Sequence, residues 1–469
     1  MSDTSPSPTG KRPHVVVVGG GFGGIAAVRK LRRADVDITL IDRHTYNTFS
    51  PLLYQVATAS LNPGDVTWFL RAIRAKQSNV RFLKGVVKTM DHAAKTLHLE
   101  SGVDVKYDYL VIASGVTTNF FGVPGAAEFS LPLYKRSQAL HVRDRMFAYL
   151  EHAAINGQDR DLRIVVVGGG ATGIETAGAF AEMRNLDMPT TYPELDHERV
   201  HITLVEMLPH VLGPFAPKLR EYARKSLEKR GVDLRLDTAV KEVREDGVLV
   251  EHQGDEQEFL PAGIVVWASG VTAHPTVADW NVPQGRGGRI ETDEQRRVKG
   301  LDGVFAIGDV AVGPEQLPQL AQPAIQGGKY VAKLIKADLT GKTRPPFRYR
   351  DKGTMATIGR SSAVAEIKYL PKMTGFLAWV IWVALHIVTL LGNRNRFATL
   401  VNLSAKYLVW RSHNAIVGET PYVIADEPYV VDARQAPRSS ARQSARRNAA
   451  SLADQGIEGI RQDSNDGPS

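Results

Sequence analysis

The sequence contains no cysteine at all. This absence excludes disulfide bonds, thiolate metal sites and every mechanism that relays electrons through a redox-active cysteine pair. We also find no cluster of metal-ligating residues and no nucleophile with an adjacent base. The side chains therefore point to neither metal nor nucleophilic catalysis.

Long hydrophobic runs are also scarce. Residues 1–12 are polar and contain proline, without the apolar core of a signal peptide, so we expect a disordered tail and a protein body in the cytoplasm. The longest run, Phe376 to Leu391, has sixteen residues. As a helix it would extend about 24 Å, which is short of the roughly 30 Å of a bilayer core. Residues 431–469 are poor in apolar residues and are expected to be a second disordered tail.

The excess of positive charge is modest, at +8 for 469 residues. Much of it is local, in the clusters Arg71, Arg74 and Lys76, Arg394 and Arg396, and Arg434, Arg438, Arg442, Arg446 and Arg447. We interpret most of this charge as solvated surface, with anionic lipid head groups as a second candidate, and expect no nucleic-acid partner. The length predicts two domains with additions.

Two strand–turn–helix–strand units stand out. In the first, the strand His14 to Val18 leads into the glycine-rich turn Gly19 to Gly24, a helix over Ile25 to Arg33, and a strand Ile38 to Ile41 that ends at Asp42. In the second, Arg163 to Val167 precedes a turn at Gly168 to Gly173, a helix over Ile174 to Met183 and a strand His201 to Val205 that ends at Glu206. Asn185 to Val200 looks like an inserted loop.

The glycine spacing predicts a dinucleotide site in each unit. In a G-x-G-x-x-G turn the first glycine permits the bend, the second admits a pyrophosphate, and the third lets helix and strand pack closely. These places are taken by Gly19, Gly21 and Gly24, and by Gly168, Gly170 and Gly173. Asp42 and Glu206 would accept hydrogen bonds from a ribose diol, and a carboxylate repels a 2'-phosphate, so the second site should prefer NADH.

Three shorter segments show a similar pattern, an apolar strand followed by a turn with glycine, although each could be a plain crossover strand. Tyr109 to Ala113 ends in Ser114-Gly115, and Ile264 to Ala268 ends in Ser269-Gly270. Val304 to Ile307 precedes Gly308-Asp309, which would place a carboxylate where a flavin ribityl chain could meet it.

In this order the pieces resemble the two-dinucleotide-binding-domain flavoproteins, the group of glutathione reductase. The resemblance implies an α/β fold class with two Rossmann-like domains plus a C-terminal amphipathic helical membrane anchor. FAD would bind a domain formed by residues 13–120 and 285–345, and NADH a domain of residues 121–284. Disulfide reductases and sulfide:quinone oxidoreductases of this group work through cysteines, so a chain with none cannot run either reaction.

A finer resemblance links the chain, from about residue 13 to 412, to bacterial type II NADH dehydrogenases. It is carried by Phe49-Ser50-Pro51-Leu52-Leu53-Tyr54-Gln55-Val56-Ala57-Thr58, by Ala321-Gln322-Pro323-Ala324-Ile325-Gln326-Gly327-Gly328, and by Asp351-Lys352-Gly353-Thr354-Met355-Ala356-Thr357-Ile358-Gly359. The resemblance implies that Gln322 and Gln326 lie beside the flavin at a quinone site and that Glu175 faces the nicotinamide. Further cofactor contacts are implied at Gly20, Phe22, Gly23, Arg43, Tyr54, Gln55, Val87, Ala113, Thr172, Ala321 and Lys352.

Each of these assignments has a plainer alternative. The glutamine pair could cap and solvate a surface helix, and Glu175 could merely satisfy the helix dipole. Lys352 could be an ordinary surface lysine.

The C-terminal region, residues 346–430, is predicted to attach the protein to a membrane. Beyond the run at 376–391 lies a basic cluster, Asn393 to Arg396, and then an amphipathic helix over Phe397 to Trp410, with Trp379, Trp382 and Trp410 as rings that favour an interface. We expect peripheral docking on the cytoplasmic face of the cell membrane. A helical hairpin at a homodimer contact and a true transmembrane span remain alternatives.

These parts predict transfer of a hydride from NADH to FAD and of two electrons onward to a membrane quinone, ubiquinone or menaquinone, without proton pumping. A soluble NADH-dependent ferredoxin reductase or diaphorase is the alternative enzyme. A nucleotide-sensing interaction protein is the alternative without catalysis.

Overall fold

The computed structural model describes residues 12–158, 160–253 and 256–409. Side chains are described up to residue 407. The two predicted tails, apart from Arg12, and the predicted end of the C-terminal region at 410–430 lie outside the described residues.

The first domain is built on a parallel sheet, as expected of a Rossmann-like domain, and the sheet has five strands, of which Val80–Lys84 was not predicted. In spatial order its strands are Val304–Ala306, Tyr109–Ile112, His14–Val18, Asp37–Asp42 and Val80–Lys84. The central strand is a valine run whose side chains are fully buried, because a parallel sheet is covered on both faces. All five carboxyl ends therefore lie at one edge of the sheet.

The second domain repeats this architecture. Its parallel sheet has the order Leu131–Pro132, Ile264–Trp267, Leu162–Val167, Val200–Val205 and Val232–Arg235. The predicted strand bounds agree to within one residue in both domains because buried, β-branched runs between glycine-rich turns leave little ambiguity.

The α-helices pack against these sheets. They are Phe22–Lys30, Leu53–Ala57, Ala126–Phe129, Arg136–Asn156, Ala171–Glu182, Met188–Thr191, Pro217–Glu228, Ala321–Asp338, Gly375–Thr389 and Asn393–Ser404. The predicted inserted loop at 185–200 is wrong over its first part. The helix that precedes it continues as a π-helix, Met183–Asp187, and then as Met188–Thr191, because Met183 and Met188 are buried in the core.

Smaller sheets complete the two domains and connect them. They comprise Tyr46–Thr48 with Thr67–Phe69; Val87–Asp91, Thr96–Leu99 and Asp104–Lys106; Thr238–Arg244, Gly247–His252 and Gln257–Pro261; Ile290–Glu291 with Ala311–Val312; and Thr354–Thr357, Ala363–Glu366 and Met373–Thr374. The two connections between the domains, Val116–Thr118 and Val271–Ala273, pair as antiparallel strands. Trp280, which the sequence assigned to the second domain, packs in the core beneath the first sheet.

Two helices follow the last small sheet. We call Gly375–Thr389 the first C-terminal helix and Asn393–Ser404 the second C-terminal helix. The second begins four residues earlier than predicted, because the predicted basic cluster 393–396 forms its first turn. No helix within the described part of the chain is long and apolar enough to span a membrane.

The second C-terminal helix has its polar face turned inward. Asn395 donates to the Thr67 carbonyl, Thr399 is fully buried, and Asn402 donates to the Asp65 carboxylate at 2.8 Å. Eight large apolar side chains of the two C-terminal helices are exposed instead. We call this set the apolar stripe: Phe376, Leu377, Val380, Leu385, Val388, Phe397, Leu400 and Val401.

Candidate active site

The carboxyl edge of the first sheet gathers the predicted FAD-binding residues. The Asp42 carboxylate accepts hydrogen bonds from the backbone N–H groups of Gly20, at 2.6 Å, and His44, at 2.7 Å. Burial raises the pKa of Asp42, and these two donors only partly oppose the shift. The carboxylate is thereby fixed beside the glycine turn, where a ribose diol would meet it.

The turn itself leaves room for a dinucleotide. A Cβ on Gly24 would lie 1.9 Å from the Gly19 carbonyl oxygen, and Gly19, at φ +108°, lies against the Ala113 carbonyl. A Cβ on Gly21 would meet nothing within 4 Å. The first and third glycines are therefore required by the fold, whereas the second faces open space in front of the helix amino end, as a bound pyrophosphate requires.

Two more polar groups at this edge are buried. The Ser114 hydroxyl has no hydrogen-bond partner among the residues that the structure describes. Burial raises the pKa of Asp309 to about 6, against the opposing charge of Arg289. A buried hydroxyl without a partner and a buried carboxylate at the end of a sheet are suited to a polar cofactor, and these residues fit the sugar and ribityl portions of FAD.

The second domain presents the same arrangement at the predicted NADH site. The Glu206 carboxylate accepts the N–H of Gly169 at 2.5 Å and that of Leu208 at 2.9 Å. Gly170, like Gly21, would carry a Cβ into open space. Thr172 and Gly270 are exposed along the same edge. Gly168 lies against Ser269, where a Cβ would come within 2.9 Å of the serine Cβ.

Glu175 lies in the helix Ala171–Glu182 but is buried, with only 7 % of its surface exposed. Burial raises its pKa to about 8, and hydrogen bonds from the Thr357 backbone and the Trp382 side chain only partly offset this effect. The Thr357 N–H lies 3.3 Å from Oε1. Glu175 is therefore mostly a neutral acid near pH 7. An acid that merely satisfied the helix dipole would not need to be buried in this way.

Tyr54 joins this group from the first domain. Its hydroxyl lies 3.1 Å from Thr357 Oγ1 and accepts a hydrogen bond from Gln55 Nε2 at 3.0 Å. Its ring lies beside that of Trp382, with centroids 6.3 Å apart. The two domains and the C-terminal region thus meet at one buried polar cluster around Glu175.

Sequence reasoning missed some residues of this cluster. Thr357 lay in a quoted motif but was given no role. Trp382 was predicted as an interfacial ring, and this was wrong, because it is 1 % exposed and stacks on His386 at 3.8 Å. Burial lowers the pKa of His386 to about 4. In the sequence, the histidine that interrupts the apolar run at 376–391 was the available sign that this part of the run is buried.

The glutamine segment begins the helix Ala321–Asp338, as predicted. Gln326 Nε2 lies 3.5 Å from Gln322 Oε1, so the two side chains share one face. Gln326 is also bonded at both ends of its amide to the backbone of Arg350, at 2.9 and 3.0 Å. Gly328 allows the helix to pack on the carbonyl of Gly23. The pair is therefore positioned by structure and is not freely solvated.

Other predicted contacts lie away from this cluster. Lys352 is exposed, and Val87 is buried in the core with its carbonyl accepting from Trp280. Arg43 follows Asp42 and lies 3.3 Å from His274 Nε2. Phe22, at the start of the first helix, packs edge-on against Phe49.

Paired Rossmann sheets with matched glycine turns define a two-dinucleotide oxidoreductase. A family model described as pyridine nucleotide-disulphide oxidoreductase matches residues 13–328, and a second, the NDH2 C-terminal domain, matches residues 352–412. The chain is 36 % identical over 415 residues to the type II NADH:quinone oxidoreductase Ndh of Mycobacterium tuberculosis, covering 86 % of this chain and 89 % of that protein. The chain belongs to the type II NADH:quinone oxidoreductases.

Other relatives agree. The type II NADH:quinone oxidoreductase of Staphylococcus haemolyticus is 33 % identical, with 78 % of this chain and 92 % of that protein covered. Among solved structures, NDH2 from Plasmodium falciparum in complex with NADH has a TM-score of 0.80 at 20 % identity, covering 86 % of this chain and all of that one. The sulfide:quinone oxidoreductase of Aquifex aeolicus has a TM-score of 0.69 at 20 % identity, with 85 % of this chain and 95 % of that one covered. These two likenesses support the fold.

Proposed function

We propose that the reaction of this family, from NADH through FAD to a quinone, takes place around Glu175. The observation that carries this placement is the buried polar cluster, where Glu175 of the second domain contacts Thr357 of the C-terminal sheet and lies beside Tyr54 of the first domain. A reaction that passes electrons between two substrates needs such a meeting point of both nucleotide sites and the acceptor site.

Residues at different positions would have different roles in this reaction. The first turn, with Asp42, Ser114 and Asp309, would hold FAD. When bound, FAD supplies the chemistry of both hydride transfer and electron transfer. The second turn would hold NADH, and Glu206 would bind its ribose while rejecting a 2'-phosphate. Glu175 would hold a proton beside the reacting groups. The burial of Glu175 keeps bulk solvent away from these groups.

Gln322 and Gln326 would line the quinone site. Both amides lie on one face at the amino end of a helix whose glycines pack on the first domain. Neutral amides and free helix N–H groups suit a quinone carbonyl, which accepts hydrogen bonds and gains negative charge as it is reduced.

The apolar stripe would dock on the cytoplasmic face of a membrane. Phe376, Val388 and Phe397 each expose more than 60 % of their surface, while Asn395 and Thr399 of the second C-terminal helix are buried. Exposed apolar area of this kind marks an interaction surface, which we assign to contact with lipid. Arg394 and Arg396 are exposed at its border and complement anionic head groups.

The catalytic proposal is tested with purified protein reconstituted into vesicles. NADH should bleach the flavin absorbance of both the wild-type protein and Gln326→Ala, whereas reoxidation by a soluble quinone analogue should slow sharply only in the variant. Lys329→Ala, an exposed position on the same helix, serves as the control. Equal reoxidation of wild type and Gln326→Ala would remove the glutamine pair from the quinone site, and a purified protein without flavin would refute the reaction itself.

The docking proposal is tested by vesicle flotation. Val388→Glu with Phe397→Glu should abolish flotation with phospholipid vesicles, because carboxylates in the stripe oppose burial in lipid. Ile155→Glu changes an equally exposed apolar residue of the second domain and should float normally. If the double variant instead floats normally but loses a concentration-dependent dimer, the stripe is a contact between two copies of the chain.

A further inference from the structure

A second cluster of charged groups lies two helical turns beyond Glu175. Glu182 is on the same face of the helix Ala171–Glu182, about 10 Å along its axis. It is 8 % exposed, and its Oε1 lies 3.3 Å from the ammonium of Lys406. The proposed hydride and electron transfer gives this buried pair no task.

A small polar cavity lies beside Glu182, and two of its lining residues, Tyr54 and Thr357, belong to the cluster around Glu175. Its lining includes Tyr54, Gln55, Ala179, Glu182, Thr357 and Lys406. The small side chain of Ala179, one turn from Glu175, leaves this cavity open beside Glu182. The hydroxyls and the ion pair in its lining make it suitable for an ordered water molecule.

Gln55 points to the same conclusion. The residue is 4 % exposed, its Nε2 donates to the Tyr54 hydroxyl, and its Oε1 is buried without a hydrogen-bond partner among the described residues. A buried amide oxygen without a donor is costly in a protein interior, so its presence beside a polar cavity indicates a donor within that cavity.

The reaction requires one proton that NADH does not bring. Overall, NADH, one proton and a quinone give NAD⁺ and a quinol. The hydride supplies two electrons and the first proton, and the second proton must come from the medium. Glu175 can give its proton to the quinone oxygen, but it is buried and must then be protonated again for the next turnover.

We infer that this cavity, from the Glu182–Lys406 pair to the Tyr54 and Thr357 hydroxyls, is the route by which a proton from the medium reaches Glu175. The inference rests on the proposed placement of the reaction at Glu175. Lys406 also donates to Ser60 Oγ at 2.6 Å, and this bond holds the ammonium in the cavity lining, to which Ser60 also belongs. The proton passes from the ion pair through cavity water and the hydroxyl pair to the carboxylate of Glu175.

The groups that face Glu182 come from several elements. Besides Lys406, they are the Arg360 N–H, which donates to Oε2 at 2.8 Å, the Arg230 guanidinium and the Tyr407 hydroxyl. Among the described residues no such cation faces Glu175, whose burial raises its pKa to about 8. The carboxyl of Glu175 therefore holds the proton that arrives from the cavity.

The test follows the protonated carboxyl of Glu175 directly. Its infrared band is identified in the oxidised holoenzyme by its absence from Glu175→Gln, and its exchange is timed after mixing with D₂O. Lys406→Met, Glu182→Gln and Ala179→Leu, which fills the cavity without changing a charge, should each slow exchange by about 10- to 100-fold. Lys372→Met removes an exposed lysine that pairs with Glu366 and should exchange as the wild type does.

Turnover provides the second measurement. In the Glu182 and Lys406 variants NADH should bleach the flavin at the wild-type rate, quinone should reoxidise it slowly, and imidazole as a small proton carrier should restore the rate. Wild-type exchange in all three variants would overturn the inferred route. Unchanged quinone reduction in Glu175→Gln would instead overturn the proposed placement of the reaction.

Discussion

At the scale of single residues, Glu175 should make the stability of the protein depend on pH. Its pKa rises on folding from 4.5 to about 8, so the folded state keeps a proton that the unfolded state releases. Stability is therefore unaffected below pH 4.5, falls as the pH rises toward 8, and is lowered by at most about 5 kcal/mol above that.

Glu175→Gln should remove this dependence. Its thermal unfolding temperature should match the wild type at about pH 5 and exceed it at about pH 9, as differential scanning calorimetry would measure. The exposed Glu100→Gln is the control and should follow the wild type at both values. A constant difference between Glu175→Gln and wild type would mean that the folded carboxyl is ionised.

Glu206 should decide between the two nicotinamide cofactors. In Glu206→Gln an amide oxygen can still accept the Gly169 N–H, but the negative charge is lost. We expect the ratio of kcat/KM for NADPH to that for NADH to rise by about tenfold, equivalent to ~1.4 kcal/mol. Asp42→Asn, the matching change in the first domain, should leave this ratio unchanged. An unaltered ratio in Glu206→Gln would place the ribose elsewhere.

At the scale of elements, the two glycine turns should separate the two cofactors. Gly21 and Gly170 have φ of −77° and −72°, which any residue adopts, and a Cβ on either meets no protein atom within 4 Å. Gly21→Ala should fold but purify with less FAD, as the ratio of flavin to protein absorbance would show. Gly170→Ala should retain FAD and raise KM for NADH by about tenfold. The reverse pattern would exchange the two assignments.

The second C-terminal helix should depend on its inward polar face. Asp65 is 5 % exposed, so losing the Asn402 donor would leave a buried carboxylate less satisfied. Asn402→Ala should lower the free energy of unfolding by about 2 kcal/mol, and a double-mutant cycle with Asp65→Ala in urea should give a coupling of similar size. Additive effects would mean that the contact contributes nothing to stability.

Prediction from the sequence succeeded best for individual strands and turns. The strand His14–Val18 and the turns that follow were predicted because local patterns fix them. The contacts of Thr357 with Glu175 and of Asn402 with Asp65 join residues 182 and 337 positions apart, and no local pattern encodes such pairings. The burial of Trp382 and the direction of the polar face of the second C-terminal helix were missed for the same reason.

At the scale of the whole molecule, the C-terminal helices belong to the core as well as to the proposed membrane surface. Trp382, Leu390 and Leu403 are buried in the cluster that also contains Tyr54. A chain ending at residue 374 should therefore be poorly soluble and lose flavin, as size-exclusion chromatography and absorbance would show. A soluble, flavin-bound truncation that reduces dyes with NADH would favour the diaphorase alternative.

The path of the chain through its domains imposes an order on biosynthesis. The strand Val304–Ala306, which completes the first sheet beside Tyr109–Ile112, is translated only after the whole second domain. The first domain therefore emerges from the ribosome with an open sheet edge, while the second can close around its own sheet. The apolar stripe, at residues 376–401, is made after both sheets. The surface most prone to aggregation is thus the last of these parts to appear, when the domains that support it are already in place.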